Sequence, residues 1–454
     1  MKPIAFQIKD IQVFQRPVTL RLPFRFGAAT VMACPQAFVK ATLSIEGVEW
    51  EGASAELMVP KWFDKSPHRT QDDNFDQLRL CVIKARDAYV AAGSAPSAFS
   101  LSKSATEIVI DQMLKHGHPR LVGQFGPALL DKSIADAVLR SQNQSWVSGL
   151  GLGLLGDPWS GTLKLHAANS VWLRHTVGLA DRLSDAEPLT TEEDGLPNSL
   201  TQAIEAYGLK YFKVKVGGNL ESDIERIAKI ESVLRKVQDY KVTLDGNETF
   251  QNVDSLSVFV QALTKHEATQ RLLERTLLIE QPLPRAIALE EKIPTMPLNV
   301  PVILDESDDH PDVPARGLAL GYRGISSKAC KGIYRSLQSA SLVQNTPHYM
   351  LSGEDLTCQA GLGVQQDTLL ATSLGVQHIE RNGHHYVKGF GIAPIHESND
   401  FAKAHPDLYR SSSAGVYLNV QEGRINIASL HQKGFGHQAW PDWQSLEPIS
   451  IEVN

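Results

Sequence analysis

The sequence predicts an α/β fold in which a closed barrel of parallel strands follows a smaller α+β domain. The length of 454 residues accommodates a barrel of roughly 250 residues together with a second domain. From about residue 165, short β-branched runs alternate with helical stretches, which is typical of parallel βα units. Eight such runs, from SVWLRHTV to VQHIE, favour a closed barrel over an open sheet.

The regions on either side of the barrel have a different pattern. Up to about residue 60, apolar and polar side chains alternate as in strands, with a hairpin expected to turn at Glu46-Gly47. From about 67 to 145 the pattern is helical. After about 390, GVYLNVQEGRINI is expected to form a hairpin that returns to the N-terminal domain. The chain is accordingly divided into residues 1–150, 160–390 and 391–454.

Composition excludes several classes of partner. A net charge of −7 argues against nucleic acid and against an anionic membrane surface, because both reward basic patches. The sequence contains no apolar stretch near the ~20 residues that span a bilayer, and no signal-peptide pattern. Free thiols are expected in a reducing cytoplasm, because the four cysteines are far apart in sequence: Cys34, Cys81, Cys330 and Cys358. The sequence therefore predicts a cytoplasmic protein.

Ionisable residues fall at the C-terminal ends of successive predicted strands. They are Lys213, Lys215, Asp245, Glu280, Asp305 and Lys328. In a parallel barrel these strand ends form one rim, where barrel active sites are built. Three carboxylates from neighbouring strands suit Mg²⁺, and a lysine that is partly buried beside another cation loses basicity and can act as a base. A single such residue is usually a helix cap or a surface ion pair, but an ordered series of six indicates a site.

This series resembles the muconate-cycloisomerase-like subgroup of the enolase superfamily, which includes dipeptide epimerases, N-acylamino acid racemases and o-succinylbenzoate synthases. The motifs that carry the resemblance are KxK at Lys213-Val214-Lys215, DxN at Asp245-Gly246-Asn247, Glu280 in IEQPLP, DES at Asp305-Glu306-Ser307, and Lys328 in GISSKACKG. The resemblance implies a (β/α)7β-type TIM barrel with an α+β capping domain that is formed by the N-terminus and completed by the C-terminal segment.

The resemblance also implies roles for individual residues. The implied Mg²⁺ ligands are Asp245, Glu280 and Asp305. Lys215 and Lys328 are expected to act from opposite faces of the substrate, with Lys213 as a further catalytic residue and Asn247 and Glu306 as supporting residues. Mn²⁺ is an expected substitute for Mg²⁺.

The implied reaction is removal of the α-proton of a small-molecule carboxylate to give a metal-stabilised enediolate. Racemisation or epimerisation, and cycloisomerisation, are the favoured outcomes. A sugar-acid dehydratase and a non-catalytic barrel that binds metal and an acid remain alternatives. A homo-oligomer is a further expectation, since barrels of this kind often associate.

Substrate specificity is expected to depend on the N-terminal segment LRLPFRFGAAT, which resembles the capping-domain loop that closes over the substrate. Its candidate residues are Phe24, Phe26 and Thr30, although core packing is an equal alternative for the two phenylalanines. Glu354 and Glu380, at the ends of strands seven and eight, are the other candidates. The eighth strand lacks the DxD with which dipeptide epimerases bind a substrate ammonium group, and this weakens the case for dipeptide epimerisation.

Three further motifs are set aside. The GxGxxG at Gly151–Gly156 lacks the preceding strand and following helix of a dinucleotide site. His384-His385 has no spaced carboxylate partner, so a loop role near the barrel mouth is favoured over a metal site. His348 begins strand seven instead of ending it, which disfavours a histidine base there.

Overall fold

The computed structural model describes residues 2–27, 29–189, 193–356, 358–413 and 415–450. Its N-terminal domain is an antiparallel sheet covered by helices. The elements of this domain are β1 (Phe6–Phe26), β2 (Ala29–Ile45), β3 (Val48–Leu57), α1 (Gln71–Ala92), β4 (Ser94–Ala95), α2 (Ala98–Lys115), α3 (Val122–Ser141) and α4 (Trp146–Gly151). Strands β2 and β3 turn at Glu46 and Gly47, as predicted, and both residues have positive φ, which suits a two-residue hairpin turn.

Helix α3 is the centre of the N-terminal domain. Every one of its residues except Ser141 is buried, so the helix is enclosed on all sides. It packs closely on β3 at Gly52, where an added Cβ would lie 2.0 Å from the carbonyl oxygen of Ser133 and 2.5 Å from the amide nitrogen of Ala137. Only glycine allows the sheet and this helix to approach so closely.

Eight parallel strands form a closed barrel, because the last strand pairs with the first. The strands are β5 (Ser170–Val177), β6 (Tyr211–Lys215), β7 (Lys241–Asp245), β8 (Thr276–Glu280), β9 (Val302–Leu304), β10 (Gly324–Ser327), β11 (Met350–Gly353) and β12 (His378–Arg381). The helices between them are α5 (Leu200–Tyr207), α6 (Leu220–Leu234), α7 (Val253–Leu263), α8 (Glu267–Glu274), α9 (Val313–Ala319), α10 (Ile333–Gln344) and α11 (Leu362–Ser373). The predicted barrel is thereby confirmed.

The connection from β8 to β9 runs through turns and the 3₁₀ turn Pro297–Asn299. A second 3₁₀ turn, Ala329–Lys331, directly follows Lys328 at the barrel rim. No helix of the described residues is both long enough and apolar enough to cross a bilayer. The four cysteines are all buried and unpaired, as expected.

The C-terminal segment contacts both parts of the molecule. Its elements are α12 (Gly383–Tyr386), α13 (Ile395–Ala404), β13 (Tyr409–Ser412), β14 (Gly415–Leu418), β15 (Val420–Gln421), β16 (Arg424–Asn426) and β17 (Glu447–Pro448). The hairpin of β15 and β16 pairs with barrel strand β5, so the prediction that this hairpin reaches the N-terminal domain is wrong. The later strand β17 is the one that joins the N-terminal sheet, through β1, and a buried bidentate ion pair between Arg16 and Glu397 strengthens that junction.

Candidate active site

The six ionisable residues at the predicted strand ends lie together at the C-terminal end of the barrel. All six side chains are buried, with exposed fractions of 5% or less. Parallel pairing explains the convergence, because Lys215 lies beside Asp245 and Asp245 beside Glu280 in the strand register. Charged groups are rarely buried unless they are paired, and here lysines and carboxylates neutralise one another.

Lys213 is the central cation of this cluster. Its Nζ lies 2.9 Å from Asp245 Oδ2, 2.7 Å from Glu280 Oε2, 2.7 Å from Glu354 Oε2 and 2.9 Å from Glu380 Oε2. Burial by itself lowers the pKa of Lys213, but the four carboxylates outweigh it and hold that pKa well above its ordinary value. The four carboxylates therefore favour the protonated form of Lys213, which suits it to supply positive charge and not to act as a base.

Lys215 and Lys328 each contact a different carboxylate of the site. Lys215 Nζ lies 2.6 Å from Asp245 Oδ2, and Lys328 Nζ lies 2.5 Å from Asp305 Oδ2. Burial acts to lower the pKa of Lys328, but the charge of Asp305 outweighs it and the pKa is raised. Both ammonium groups also face aromatic rings, which attract a cation through their negative faces.

The aromatic neighbours come from the N-terminal domain. Lys215 Nζ lies 5.8 Å from the ring centroid of Phe24 and 5.7 Å from that of Phe26. Lys328 Nζ lies 4.3 Å from the ring of Trp62, a residue that sequence reasoning missed. The capping domain thus covers both lysines with the aromatic rings of Phe24, Phe26 and Trp62, and this apolar cover is referred to below as the roof.

The carboxylates predicted to bind metal have different surroundings. Burial, reinforced by the charges of Asp245 and Glu354, raises the pKa of Glu280 well above its ordinary value. Asp305 shows the opposite shift: burial would raise its pKa, but Lys328 and Lys331 outweigh burial and lower it. Glu280 Oε1 is buried and has no hydrogen-bond partner among the described residues.

Asp245, Glu280 and Asp305 do not converge on a single point in this structure. Within the described part of the chain, the one group of three or more potential ligands whose donor atoms all lie within 4.8 Å of one another is Asp355, Cys358 and Asp367. The three predicted ligands are instead turned toward lysines. Their chemistry still fits Mg²⁺, because they are buried oxygen donors on neighbouring strands and one oxygen of Glu280 is unpaired.

The two supporting residues of the prediction contact each other. Asn247 Nδ2 donates to Glu306 Oε1 at 3.1 Å. Lys65, from the segment between β3 and α1, donates to the Asn247 carbonyl at 2.8 Å and to Glu306 Oε1 at 3.2 Å. Lys65 Nζ also lies 2.6 Å from Glu248 Oε2. The capping domain is therefore fastened to the barrel rim beside the predicted metal ligands.

Arg285 provides a second fastening of the same segment. Its guanidinium donates to the Trp62 carbonyl at 2.9 Å and to the Phe63 carbonyl at 3.0 Å, and it pairs with Glu248 at 2.8 Å. Trp62 is held over Lys328 by these contacts. Backbone carbonyls of the segment are thus tied to an arginine of the barrel.

A small cavity lies between the lysines and the roof. Its lining residues are Phe24, Phe26, Val59, Trp62, Lys213, Lys215, Asn247, Lys328, Asp355, Leu356, Glu380 and Asn382. Its volume of about 20 Å³ is enough for a single water molecule. An organic acid can therefore reach the lysines only after the roof has moved.

The specificity candidates are divided between inside and outside this cavity. Phe24, Phe26 and Glu380 line it. Thr30 is exposed and lies opposite Arg25 in the β1–β2 ribbon, on the face away from the two phenylalanines, so the structure does not place it in the site. Glu354 is fully buried below the cavity, where it pairs with Arg174 at 2.5 Å as well as with Lys213.

Strand eight contributes a polar wall that the sequence did not reveal. Glu380 accepts from Thr176 Oγ1 at 2.7 Å, from Asn382 Nδ2 at 2.9 Å and from the Asp355 amide at 3.0 Å. Asn382 Oδ1 and Trp62 Nε1 are buried and without a hydrogen-bond partner in the described chain. These two groups leave one acceptor and one donor beside the cavity.

The histidines and the glycine motif that the sequence analysis set aside lie outside the cavity. His384 and His385 pack against His175, and burial lowers the pKa values of all three rings, that of His175 to about 3. His348 is exposed before β11. The Gly151–Gly156 segment ends α4 and continues as a turn, without the strand that a dinucleotide site needs.

Solved structures with the same fold include enzymes named as a cycloisomerase and as epimerases. The chain is similar to 2-chloromuconate cycloisomerase from Rhodococcus opacus 1CP (TM-score 0.63, 14% identity, covering 96% of this chain and 97% of that one). It is also similar to a dipeptide epimerase from Cytophaga hutchinsonii complexed with Mg and D-Ala-L-Val (TM-score 0.61, 15% identity, covering 97% of this chain and 98% of that one). A third similar structure is the L-Ala-D/L-Glu epimerase from Bacillus subtilis (TM-score 0.61, 15% identity, covering 96% of this chain and 98% of that one).

These neighbours confirm the fold that the resemblance to the enolase superfamily implied, over nearly the whole chain. Identities of 14–15% establish shared architecture and nothing finer. The sequence matches no protein-family model and no curated protein. The chain therefore has the fold of the 2-chloromuconate cycloisomerase and epimerase structures, and its activity has to be argued from its own residues.

Proposed function

We propose that the protein is a Mg²⁺-dependent enzyme that removes the α-proton of a small carboxylate and completes a racemisation, an epimerisation or a cycloisomerisation. The observation that carries this proposal is the arrangement of Lys215 and Lys328. Both line one cavity, and each is paired with a different carboxylate, Asp245 and Asp305 respectively. Two amines that approach one small space from separate strands suit a reaction with proton transfer at two faces of a carbon.

Asp245, Glu280 and Asp305 would hold the metal ion, and the unpaired oxygen of Glu280 supports this assignment. When bound, Mg²⁺ would supply Lewis-acid stabilisation of negative charge on the substrate carboxylate. The ion pairs with Lys215 and Lys328 would then weaken, because the carboxylates would be shared with a dication. Lys328 would then lose part of the interaction with Asp305 that favours its charged form.

The protein's own groups account for the proton transfers. One lysine takes the α-proton, which leaves negative charge on the two carboxylate oxygens of the substrate. Lys213 remains protonated beneath the site and contributes a fixed positive charge to balance it. The second lysine, Lys328 if Lys215 is the base, delivers a proton to the opposite face. If a β-substituent leaves instead, an alkene forms, and the ring opens where that substituent is the ring oxygen of a lactone. Ring closure is the reverse reaction, in which an oxygen adds to the β-carbon and a lysine protonates the α-carbon.

The roof indicates the kind of acid that fits. Phe24, Phe26, Trp62 and Leu356 present apolar surface, and this favours an acid with an apolar body over a polyhydroxylated sugar acid. Trp62 Nε1 and Asn382 Oδ1 offer one donor and one acceptor to a polar group of the substrate. A sugar-acid dehydratase is therefore the weaker alternative.

The test is deuterium incorporation from D₂O with Mg²⁺, screened by mass spectrometry over N-acyl amino acids, dipeptides, lactones and sugar acids. We expect exchange with one class of acid that has an apolar body, and its loss for one enantiomer in Lys215→Ala and for the other enantiomer in Lys328→Ala. Exchange with sugar acids alone, with a keto product, would replace the proposal by dehydration. Tight Mg²⁺ binding without exchange across the panel would favour a non-catalytic barrel.

A further inference from the structure

A second and larger cavity lies between the capping domain and the barrel. Its volume is about 360 Å³, within the range of sites for small organic molecules. Helices α2 and α3 form one wall, and the other is formed by the 3₁₀ turn after Lys328 and the start of α10. It shares no lining residue with the cavity at the lysines. This cavity is referred to below as the interdomain cavity.

One part of the interdomain cavity is aromatic. The rings of Phe99 and Tyr334 lie 5.1 Å apart and those of Phe99 and Trp159 lie 5.5 Å apart, in edge-to-face arrangements. Ile110 and Ala128 extend this surface. Such a surface suits the apolar body of a ligand, because burying it there removes apolar area from water.

The other part carries hydrogen-bond donors without partners. Arg335 donates to Asp308 through Nη2, while its Nε and Nη1 are buried and lack a hydrogen-bond partner among the described residues. The hydroxyl of Tyr334, a residue only 7% exposed, also lacks a hydrogen-bond partner among the described residues. Because Asp308 holds one edge of the Arg335 guanidinium, the remaining donors are fixed at the wall of the cavity.

More cationic than acidic side chains line the interdomain cavity. The cations are Lys103, Arg120, Lys331 and Arg335, and the acidic residues are Glu107 and Asp131. Arg120 and Glu107 are paired with each other, and Lys331 and Arg335 are both paired with Asp308, which does not line the cavity. Asp131 accepts hydrogen bonds from Tyr89 and Ser102, and burial raises its pKa to about 7, so part of its negative charge is lost near neutral pH.

We propose that the interdomain cavity is a second ligand site, distinct from the lysine site, for a monocarboxylate with an aromatic or aliphatic body. The carboxylate accepts a single hydrogen bond from Arg335, through Nε or Nη1, and another from the Tyr334 hydroxyl, and the body packs against Phe99 and Trp159. A charged acceptor is required because the unpaired groups are a guanidinium and a phenol hydroxyl, both of which donate. The proposal does not depend on the reaction at the lysines.

The test is isothermal titration of the full chain with 4-phenylbutyrate in EDTA, so that no divalent ion recruits the acid to the lysine site. We expect saturable one-to-one binding, weakened by at least about tenfold in Arg335→Met, since a charge-assisted hydrogen bond is lost. Thr106→Trp, which fills the cavity from its rim, should abolish binding. Lys215→Ala should bind like the wild type, and the neutral 4-phenyl-1-butanol should bind more weakly than the acid.

Thermal denaturation of each variant separates loss of a ligand contact from loss of the fold. The proposal is overturned if the wild type shows no saturable binding. It is equally overturned if Arg335→Met and Thr106→Trp, both folded, bind as tightly as the wild type. Loss of binding in Lys215→Ala alone would show that the acid had entered the lysine site.

Discussion

Lys213 Nζ lies 2.7 Å from Glu280 Oε2, and this contact links a buried cation to a carboxylate whose other oxygen has no hydrogen-bond partner in the described chain. Three further carboxylates surround the same ammonium group, and two of them have a second cationic partner, Lys215 for Asp245 and Arg174 for Glu354. Three cations thus face four carboxylates, and the excess negative charge is what a divalent cation would relieve. The first two predictions follow from this imbalance.

Glu280→Gln should stabilise the metal-free protein at pH 8 by about 1–3 kcal/mol, because it removes one buried negative charge while it keeps the side chain's shape. The pKa of Glu280 is raised in the folded state, so its destabilising effect is present above that pKa and disappears as pH falls toward the unfolded value. Urea denaturation in EDTA at pH 8 and pH 5 measures both effects. A variant that is less stable than the wild type at pH 8 would contradict this account.

Lys213→Met should destabilise the protein by about 3–5 kcal/mol, because it leaves several buried carboxylates without their common partner. The matched control is Lys215→Met, which removes one ion pair, to Asp245, and should cost less. Thermal denaturation of both variants makes the comparison. Equal melting temperatures would show that Lys213 does not hold the cluster together.

Lys65→Gln together with Arg285→Gln should loosen the segment that carries Trp62, because these two side chains fasten it to Glu248, Glu306 and the barrel rim. We expect chymotrypsin to cleave after Trp62 or Phe63 about tenfold faster than in the wild type, since proteolysis follows local opening. Mass spectrometry identifies the cleavage site.

The control for that experiment is Arg79→Gln, which breaks the exposed ion pair with Asp76 on α1 and should leave the cleavage rate unchanged. If the double variant is cleaved no faster than this control, the two fastenings do not hold the roof closed.

Gly52→Ala should destabilise the capping domain by about 3 kcal/mol or more, because its Cβ would lie 2.0 Å from the Ser133 carbonyl oxygen and force α3 away from β3. Gly151→Ala is the control, since its added Cβ would meet nothing within 4 Å. Denaturation curves of the two variants test the close packing directly, and equal stability would argue against it.

Much of the barrel could be predicted from sequence because strand–helix alternation is a local signal. The six ionisable residues converge because parallel strands align their C-terminal ends, which is a general property of the fold. The pairing of the Val420–Asn426 hairpin with β5 could not be predicted, because a short hairpin pattern does not specify the edge to which it adds.

The details of the site depend on tertiary contacts. Trp62 and Asn382 reach the cavity through a connecting segment and a strand end whose positions no local pattern encodes. The position of Thr30 is different, because the alternation of the neighbouring strand residues could have shown that Thr30 faces away from the site. With Phe24 and Phe26 facing the barrel, strand alternation directs Arg25 outward, and Thr30 lies opposite Arg25 in the ribbon. Arg174, in SVWLRHTV, is a buried cation in a barrel strand and could also have been noticed.

The central claim is that Lys215 and Lys328 act on opposite faces of one carbon. For an acid that exchanges deuterium, the measurement is the exchange of each enantiomer by Lys215→Gln and by Lys328→Gln, with Mg²⁺ present. The account predicts that both variants lose interconversion, while each retains exchange of only one enantiomer, and of opposite ones. Exchange of both enantiomers by either single variant, or of the same enantiomer by both, would contradict it.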